Sequence, residues 1–405
     1  MGAGPLAAAA HPRQGFHSGN QPNVIDVPIT GSQRAVGHVD PWIEVDLGAI
    51  DHNFTKLRER VKVRIMAVVK ANAYGHGLVE VSRALEKAGT DWLMVGKLEE
   101  AVVLRESGIG CPILNFGPFD RQDGDEIIAR KISQCVFTEE AMYLDEAAAK
   151  LGQTGSVHVD IDTGMGRTGV AVGKALSLIK IIAGLSHLRI AGLCTTLTED
   201  PEFDREQLRE FQDVVETAKA AGVSTGLRHA ASSAGILDSP DFYLDMVRPG
   251  ITLYGYYPNV RTRAEDVLKL KPALKLSARV IFLKDLVTGE SLSYLRAIKV
   301  KKKTRVATVG IGYSDGYPPQ LGGKVSLMIK GKTHAVLGAV TANHLMVELG
   351  DDRDVRIGDE VTLVDSDRSS GLAADALAEK SGISDYRVLI GLNPLTPRVY
   401  SGKQG

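Results

Sequence analysis

Eight short apolar runs, each followed by an amphipathic stretch, constrain the fold of this chain more than any other feature. The runs span residues 65–70, 92–96, 112–117, 134–138, 157–162, 189–195, 226–230 and 245–250. Helical patterns between them include 79–89, 97–108 and 204–222, and several close on glycine, as helix C-termini commonly do. Strands buried on both faces form continuous apolar runs, so eight strand–helix units predict an α/β fold with a (β/α)8 TIM-like barrel; a doubly wound sheet is the alternative.

The pattern changes after about residue 270. Short β-branched runs separated by turn signals follow, with one helical stretch at 371–382. This pattern of short runs and turns predicts a mostly antiparallel β domain at the C-terminus. We therefore predict a barrel over residues 39–270, a β domain over 271–402, and a poorly ordered tail over residues 1–38, where Gly, Ala, Pro and Asn are frequent.

Charge and cysteine content narrow the classes of partner. The chain has 48 Lys+Arg and 49 Asp+Glu, so its net charge gives no general attraction to nucleic acid or anionic lipid. A small-molecule partner is therefore favoured. It lacks an apolar run of about 18 residues and any zinc-ligand spacing. Cys111, Cys135 and Cys194 are widely spaced in apolar surroundings, which predicts free thiols. We expect a cytoplasmic protein with no metal, membrane or nucleic-acid partner.

The C-terminal ends of barrel strands carry the function of such folds. Polar residues and glycines at these predicted ends are Lys70, Asp162, Arg167, Thr195, Thr196, Ser232, Ser233, Arg248 and Gly250. A lysine at the rim of a dry pocket loses proton affinity and becomes a nucleophile or a base. On position alone, the simpler interpretation, a lysine that snorkels at a strand end, is favoured over this one. The serines and glycine could hold a phosphate with backbone N–H groups.

Four segments together resemble the alanine racemase family of pyridoxal-phosphate (PLP) enzymes. They are IMAVVKANAYGHG, HVDIDTGMGRTGV, DMVRPGITLYG and VGIGYSDGYPP, and the resemblance runs from about Trp42 to Tyr400. It implies an amino-acid racemase that acts as a homodimer. Lys70 matches the lysine that holds PLP as a Schiff base and serves as one catalytic base, and Tyr313 matches the opposite base, which the partner subunit donates.

The resemblance also implies which residues bind the cofactor and the substrate. Arg248 matches the arginine that faces the pyridine nitrogen, and Arg167 matches the arginine near the substrate carboxylate. Phosphate-binding positions match Tyr74, Ser233, Gly250 and Ile251. Two bases must flank the carbon, because racemisation removes a proton from one face and returns one to the other.

Several positions depart from the family pattern, and they cluster around the substrate. Thr196 replaces a histidine, Asn343 an aspartate and Pro394 a tyrosine, while Ala342 replaces a methionine whose backbone helps to hold the substrate. We therefore predict a wider pocket and a substrate range beyond alanine. Asp160 stands where many members carry a carbamylated lysine. It either holds Arg167 by a charge-assisted hydrogen bond or pairs locally.

Three alternatives to racemisation are compatible with a PLP-binding chain. A PLP enzyme that catalyses decarboxylation, aldol cleavage or elimination is the main alternative. The absence of any cysteine after Cys194, and of a His/Cys pair near the C-terminus, counts against it. A PLP-carrying protein without catalysis would need neither the β domain nor Tyr313, and a catalytically lapsed relative is a further alternative.

Overall fold

The computed structural model describes residues 41–402, so the predicted tail lies outside the described residues. Eight parallel strands form a nearly closed barrel: Arg64–Val68, Trp92–Val95, Ile113–Asn115, Ser133–Val136, Gly155–Asp162, Leu188–Cys194, Leu227–His229 and Met246–Val247. The last strand pairs with the first, and the Asp245 N–H donates to the Arg228 carbonyl at 3.1 Å across the remaining gap. The predicted fold class is confirmed, and each barrel strand overlaps one predicted run.

Helices alternate with the strands and cover the barrel. They are Leu47–Val61, Leu78–Lys87, Leu98–Glu106, Gly124–Ala129, Ala141–Leu151, Val172–Ala183, Pro201–Ala220, Ser233–Asp238 and Val260–Glu265. Their apolar faces pack on the strands; in the first helix Ile50, Phe54 and Leu57 are buried. The connection after the first barrel strand brings Lys70 to the rim of the barrel, because that strand ends at Val68.

A second sheet, largely antiparallel, forms the rest of the protein. In spatial order its strands are Thr304–Val309, Leu345–Gly350, Lys332–Leu337, Ser326–Ile329, Glu360–Val364, Leu274–Leu286, Trp42–Asp46 and Arg398–Ser401. Trp42–Asp46 runs antiparallel to Leu274–Leu286 and parallel to Arg398–Ser401. The strand that precedes the barrel in the chain therefore belongs to this sheet, a pairing that local sequence patterns cannot reveal. The helices Ala374–Ser381 and Asp385–Ile390 complete this part of the chain.

One predicted β segment is interrupted. Residues 290–300 form a small hairpin of two short strands, Ser291–Leu292 and Ile298–Lys299. Ser293 and Leu295 between them have φ values of 68° and 57°, a left-handed conformation that ends a strand.

The cysteines agree with the sequence-based prediction of free thiols. Cys135 and Cys194 are buried and Cys111 is half-buried, all three as free thiols. None of the helices between residues 41 and 402 is long and apolar enough to cross a membrane. Within the same range, His, Cys, Asp and Glu side chains form no group of three or more that could hold a metal ion.

Candidate active site

A cavity opens at the C-terminal ends of the barrel strands, where function was predicted to lie. Its lining comprises Val68, Lys70, Tyr74, Met94, Phe116, Arg167, Thr196, Glu199, Ser232, Ser233, Arg248, Gly250, Ile251 and Tyr386. The structure thus brings together nine of the predicted site residues: Lys70, Tyr74, Arg167, Thr196, Ser232, Ser233, Arg248, Gly250 and Ile251. Tyr313 and Ala342 do not line this cavity.

Sequence reasoning missed several lining residues. Met94 lies in the barrel strand Trp92–Val95, and Phe116 directly follows the strand Ile113–Asn115. A search for apolar residues at every strand end could therefore have found both. Glu199 lies in a loop, and Tyr386 comes from the helix Asp385–Ile390 of the β domain. No local pattern connects that helix with the barrel, and only the tertiary fold reveals the contact.

The residues after Lys70 form a left-handed turn. Ala71, Asn72, Ala73 and Tyr74 have φ values of 54°, 55°, 52° and 52°. Each such residue costs roughly 1–2 kcal/mol for an L-amino acid. Specific contacts offset this cost: the Asn72 N–H donates to Glu100 Oε1 at 3.1 Å, and Asn72 Oδ1 accepts the Leu78 N–H at 2.8 Å. The turn therefore places Tyr74 in the cavity four residues after Lys70.

Gly75 closes the turn against the β domain. Its φ is 83°, and an added Cβ would lie 2.2 Å from the Leu389 carbonyl oxygen. The Gly75 carbonyl in turn accepts a hydrogen bond from Arg398 Nε at 2.9 Å. The loop that carries Lys70 is therefore fixed by the second domain, which explains why glycine is required here.

The environment of Lys70 makes its amine a weaker base than an ordinary lysine. Burial lowers the pKa of Lys70, and the positive charges of Arg167 and Arg248 lower it further, while Glu100 acts in the opposite direction. A lower pKa increases the fraction of neutral amine at neutral pH. The structure thus supplies the condition that both nucleophilic and general-base chemistry require.

Backbone and hydroxyl groups form a small cradle on one wall of the cavity. Ser233 Oγ accepts the Gly250 N–H at 2.9 Å and lies 3.0 Å from Thr252 Oγ1. An added Cβ at Gly250 would come within 2.6 Å of the Tyr74 hydroxyl, so only glycine allows this approach. The Tyr74 ring stacks on the ring of Tyr254, with ring centroids 4.9 Å apart. Hydroxyl groups that converge on one point can donate to an anionic oxygen ligand.

Arg248 is buried and held by four hydrogen bonds. Nη1 donates to His229 Nδ1 at 2.6 Å and to the His229 carbonyl at 2.8 Å. Nη2 donates to the Thr195 carbonyl at 2.8 Å and the Ala230 carbonyl at 3.1 Å. Burial lowers the pKa of Arg248 from its usual value, but the usual pKa of arginine is so high that the guanidinium stays protonated. The cavity therefore contains a positive charge in a fixed position.

The two histidines behind Arg248 are neutral. Burial lowers the pKa of His158 to about 3 and that of His229 well below its ordinary value. Because arginine can only donate, His229 Nδ1 must accept, and its proton lies on Nε2. That proton is directed to His158 Nδ1 at 2.8 Å. The pair fixes Arg248 without adding a second charge to the barrel interior.

Asp160 pairs locally rather than with Arg167. Its Oδ2 accepts the Thr168 hydroxyl at 3.2 Å, and Cys194 Sγ lies 3.7 Å from Oδ1. Within residues 41–402 no hydrogen bond joins Asp160 to Arg167, so the proposed substitute for a carbamylated lysine does not hold the arginine directly. Burial raises the pKa of Asp160 to about 6, although Arg248 and Thr168 act to lower it.

We expect Asp160→Asn to change how stability depends on pH. A carboxyl whose pKa rises from 3.8 to about 6 on folding binds extra protons in the native state, so wild type loses about 2 kcal/mol of stability as pH rises from 4 to 7. The variant lacks this loss and gains relative stability over the same interval. Denaturant unfolding at a series of pH values measures the difference. Asp213→Asn, at an exposed position, is the control, and a pH-independent difference at Asp160 would contradict the assignment.

Tyr313 and Ala342 lie together in the β domain, outside the cavity. The Tyr313 N–H donates to the Thr341 carbonyl at 2.9 Å, and the next residue, Ser314, donates its N–H to the Ala342 carbonyl at 2.9 Å and its hydroxyl to the same oxygen at 2.7 Å. The Tyr313 side chain is 54% exposed. The two residues therefore lie together in the β domain. Within one chain, neither of them lines the cavity that contains Lys70.

Comparison with known proteins matches both halves of the chain to one family. Residues 45–258 match the model for the alanine racemase N-terminal domain, and residues 273–400 match that for the C-terminal domain. Alanine racemase from Clostridium perfringens is 38% identical over 366 residues, covering 89% of this chain and 95% of the relative. That from Halothermothrix orenii is 35% identical over 371 residues, covering 90% and 97%.

Solved structures agree with the sequence matches. Alanine racemase from Bacillus anthracis with bound L-Ala-P has a TM-score of 0.84 and 33% identity, covering 92% of this chain and 97% of that one. The Streptomyces lavendulae alanine racemase has a TM-score of 0.86 and 30% identity, covering 90% and 98%. The chain therefore belongs to the alanine racemase family and is an amino-acid racemase.

Proposed function

We propose that the chain interconverts L- and D-alanine, with PLP as cofactor and with Lys70 and the partner subunit's Tyr313 as bases on opposite faces of the substrate. One observation carries this proposal. A lysine of lowered pKa, two arginines and an anion cradle line a single cavity at the C-terminal end of the barrel. The names of the relatives supply alanine as the first substrate to test.

The cavity has groups that fit PLP. The cradle of Tyr74, Ser233 and Gly250 suits its phosphate, and the Ile251 N–H begins a short helical turn beside it. The neutral Lys70 amine suits its aldehyde. PLP supplies an electron sink for the charge that remains when the α-proton leaves. Arg248, always protonated, disfavours a second cation on the pyridine nitrogen and so limits how strongly the ring withdraws electrons.

The chain's own residues orient the substrate and move its proton. Arg167 lines the same cavity and offers a planar donor pair to an α-carboxylate. Lys70 takes or returns the proton on one face, and its lowered pKa makes the neutral amine more available for this role than in an ordinary lysine.

A homodimer would supply the second base. Tyr313 is largely exposed and does not line the cavity of its own chain, as expected of a residue that acts in another subunit. We infer that the surface formed by Tyr313 and Ala342 closes over the cavity of the neighbouring subunit. In this arrangement each active site draws its two bases from different chains.

The pocket is expected to accept more than alanine. Thr196 lines the cavity where the family has a larger histidine, and Pro394 is exposed and contributes nothing to the lining. Asn343 Nδ2 donates to the Ser314 hydroxyl at 2.8 Å, and the side chain of the neighbouring Ala342 is only a methyl group. Pocket shape alone discriminates weakly, because one methylene is worth only about 1–3 kcal/mol.

A panel of L-amino acids tests the function and its range together. Purified protein with PLP is incubated with L-alanine, L-serine, L-lysine and L-arginine, and chiral chromatography measures the D products. We expect D-alanine and at least one further D-amino acid. The absence of D-alanine would refute racemisation of alanine. Activity on alanine alone would refute the wider pocket.

A further inference from the structure

Glu100 joins the two loops that follow the first and second barrel strands. It lies in the first turn of the helix after the second strand, and its side chain is half-buried. Its Oε1 accepts the Asn72 N–H at 3.1 Å, and its Oε2 accepts the Gly96 N–H at 3.1 Å. Asn72 comes two residues after Lys70, whereas Gly96 directly follows the neighbouring strand. One carboxylate therefore holds together the backbone of two adjacent strand ends.

The aliphatic part of the Lys70 side chain packs against the same glycine. A Cβ added at Gly96 would lie 3.4 Å from Lys70 Cβ, 3.7 Å from Lys70 Cδ and 3.9 Å from Glu100 Oε2. The side chain that carries the amine therefore runs along the piece of backbone whose N–H donates to Glu100. By fixing this backbone, Glu100 fixes a wall against which the lysine side chain rests.

The turn after Lys70 needs such support. Residues 71–74 all have φ values between 52° and 55°, which L-amino acids adopt at a cost. The N–H of Asn72, the second residue of this turn, donates to Glu100. Hydrogen bonds to an ionised acceptor are roughly twice as strong as those between neutral groups. An ionised carboxylate at this point therefore stabilises the strained turn that begins directly after Lys70.

Glu100 also acts on the Lys70 amine through its charge. Burial lowers the pKa of Lys70, the charges of Arg167 and Arg248 lower it further, and the charge of Glu100 opposes them. A group that removes a proton and later returns one must be able to hold it in between. The same carboxylate that fixes the backbone thus limits how far the proton affinity of the amine falls.

We propose that Glu100 is a positioning residue for Lys70, because its carboxylate holds the backbone on both sides of the lysine and so keeps the amine in a fixed place in the cavity. Glu100 itself does not line the cavity. Glutamine could accept only one of the two N–H groups, since its own NH2 group is a donor. This inference rests on the proposed racemase function and adds to it a residue outside the reacting groups.

The titration of Lys70 gives a test that does not depend on catalysis. In full-length protein freed of PLP, acetic anhydride labels neutral amines, and mass spectrometry of the labelled peptides over a series of pH values follows Lys70. We expect Glu100→Gln to shift this titration to lower pH, because the loss of a negative charge disfavours the protonated amine. Glu100→Asp keeps the charge and should shift the titration less.

Racemisation of alanine by the PLP-loaded protein reports the position of the amine. We expect kcat to fall about 10- to 100-fold in both Glu100 variants, because a displacement of about 1 Å at a reacting group can cost about 100-fold. KM for alanine should stay near the wild-type value, since Arg167 is unchanged. Glu100→Gln would then combine a more readily deprotonated Lys70 with slower proton transfer, a combination that the loss of position explains.

Glu99→Gln is the matched control. It removes a charge from the preceding, exposed position of the same helix and should leave both measurements unchanged. An unchanged Lys70 titration in Glu100→Gln, or a wild-type kcat in either Glu100 variant, overturns this inference while alanine racemisation by wild type stands. If wild type racemises no alanine, the proposed function itself fails, and the titration in PLP-free protein distinguishes that failure from one at Glu100.

Discussion

Lys70→Ala is expected to abolish racemisation, with kcat/KM for alanine falling at least about 10³-fold. General-base catalysis alone is worth about 10²–10⁴-fold, and the variant also loses the amine that would hold the cofactor aldehyde. The initial rate of D-alanine formation measures the first effect. PLP retained after exhaustive dialysis measures the second and should fall as well.

Lys97→Ala is the matched control for Lys70. Lys97 follows the end of the neighbouring barrel strand Trp92–Val95 but is exposed and does not line the cavity. We expect this variant to behave as wild type in both measurements. If Lys70→Ala racemised alanine at more than about one-tenth of the wild-type rate, the activation free energy would have risen by less than about 1.4 kcal/mol. Such a result would contradict the proposed role.

Tyr313→Phe is expected to lower kcat at least about 10²-fold while the fold is preserved, because only the hydroxyl is lost from an exposed side chain. Tyr294→Phe is the control, since Tyr294 is an exposed tyrosine of the same β domain. Racemisation in both directions is measured for each variant. A Tyr313→Phe enzyme with nearly full activity would remove the tyrosine base from the mechanism.

Mixed dimers reveal which subunit supplies Tyr313. When Lys70→Ala and Tyr313→Phe subunits exchange freely, half of the dimers contain one of each. In these dimers one site carries both substitutions and the other carries neither, so activity should return to about one-quarter of wild type. If Tyr313 served the cavity of its own chain, every site in the mixture would be defective and no activity would return.

The barrel and most of its site were predictable from sequence because their signals are local. Each buried strand is a continuous apolar run, and Lys70, Ser233 and Arg248 come within four residues after the ends of such strands. Glu199 and Tyr386 were not predictable in this way. Glu199 depends on a loop fixed by buried Asp204, and Tyr386 reaches the cavity from the other domain.

The left-handed turn shows a second limit of sequence reasoning. Ala71, Ala73 and Tyr74 have no intrinsic preference for positive φ, and their conformation follows from contacts with distant residues such as Glu100. Likewise, the local interaction of Asp160 with Thr168 depends on the path of the loop between them. Conformational propensity is a property of the residue type alone. The positive φ values and the Asp160 contact depend instead on residues that only the fold brings close.

The position of Trp42–Asp46 has a consequence for biosynthesis. This segment leaves the ribosome early, yet its two neighbours, Leu274–Leu286 and Arg398–Ser401, are made much later. The barrel can collapse during translation, because its neighbouring strands are close in sequence, but the early segment must wait unpaired for most of that time. Closing so long a loop makes assembly of this sheet a late and slow event. A nascent chain that stalls before Arg398 would expose an unpaired edge, the kind of surface that chaperones protect.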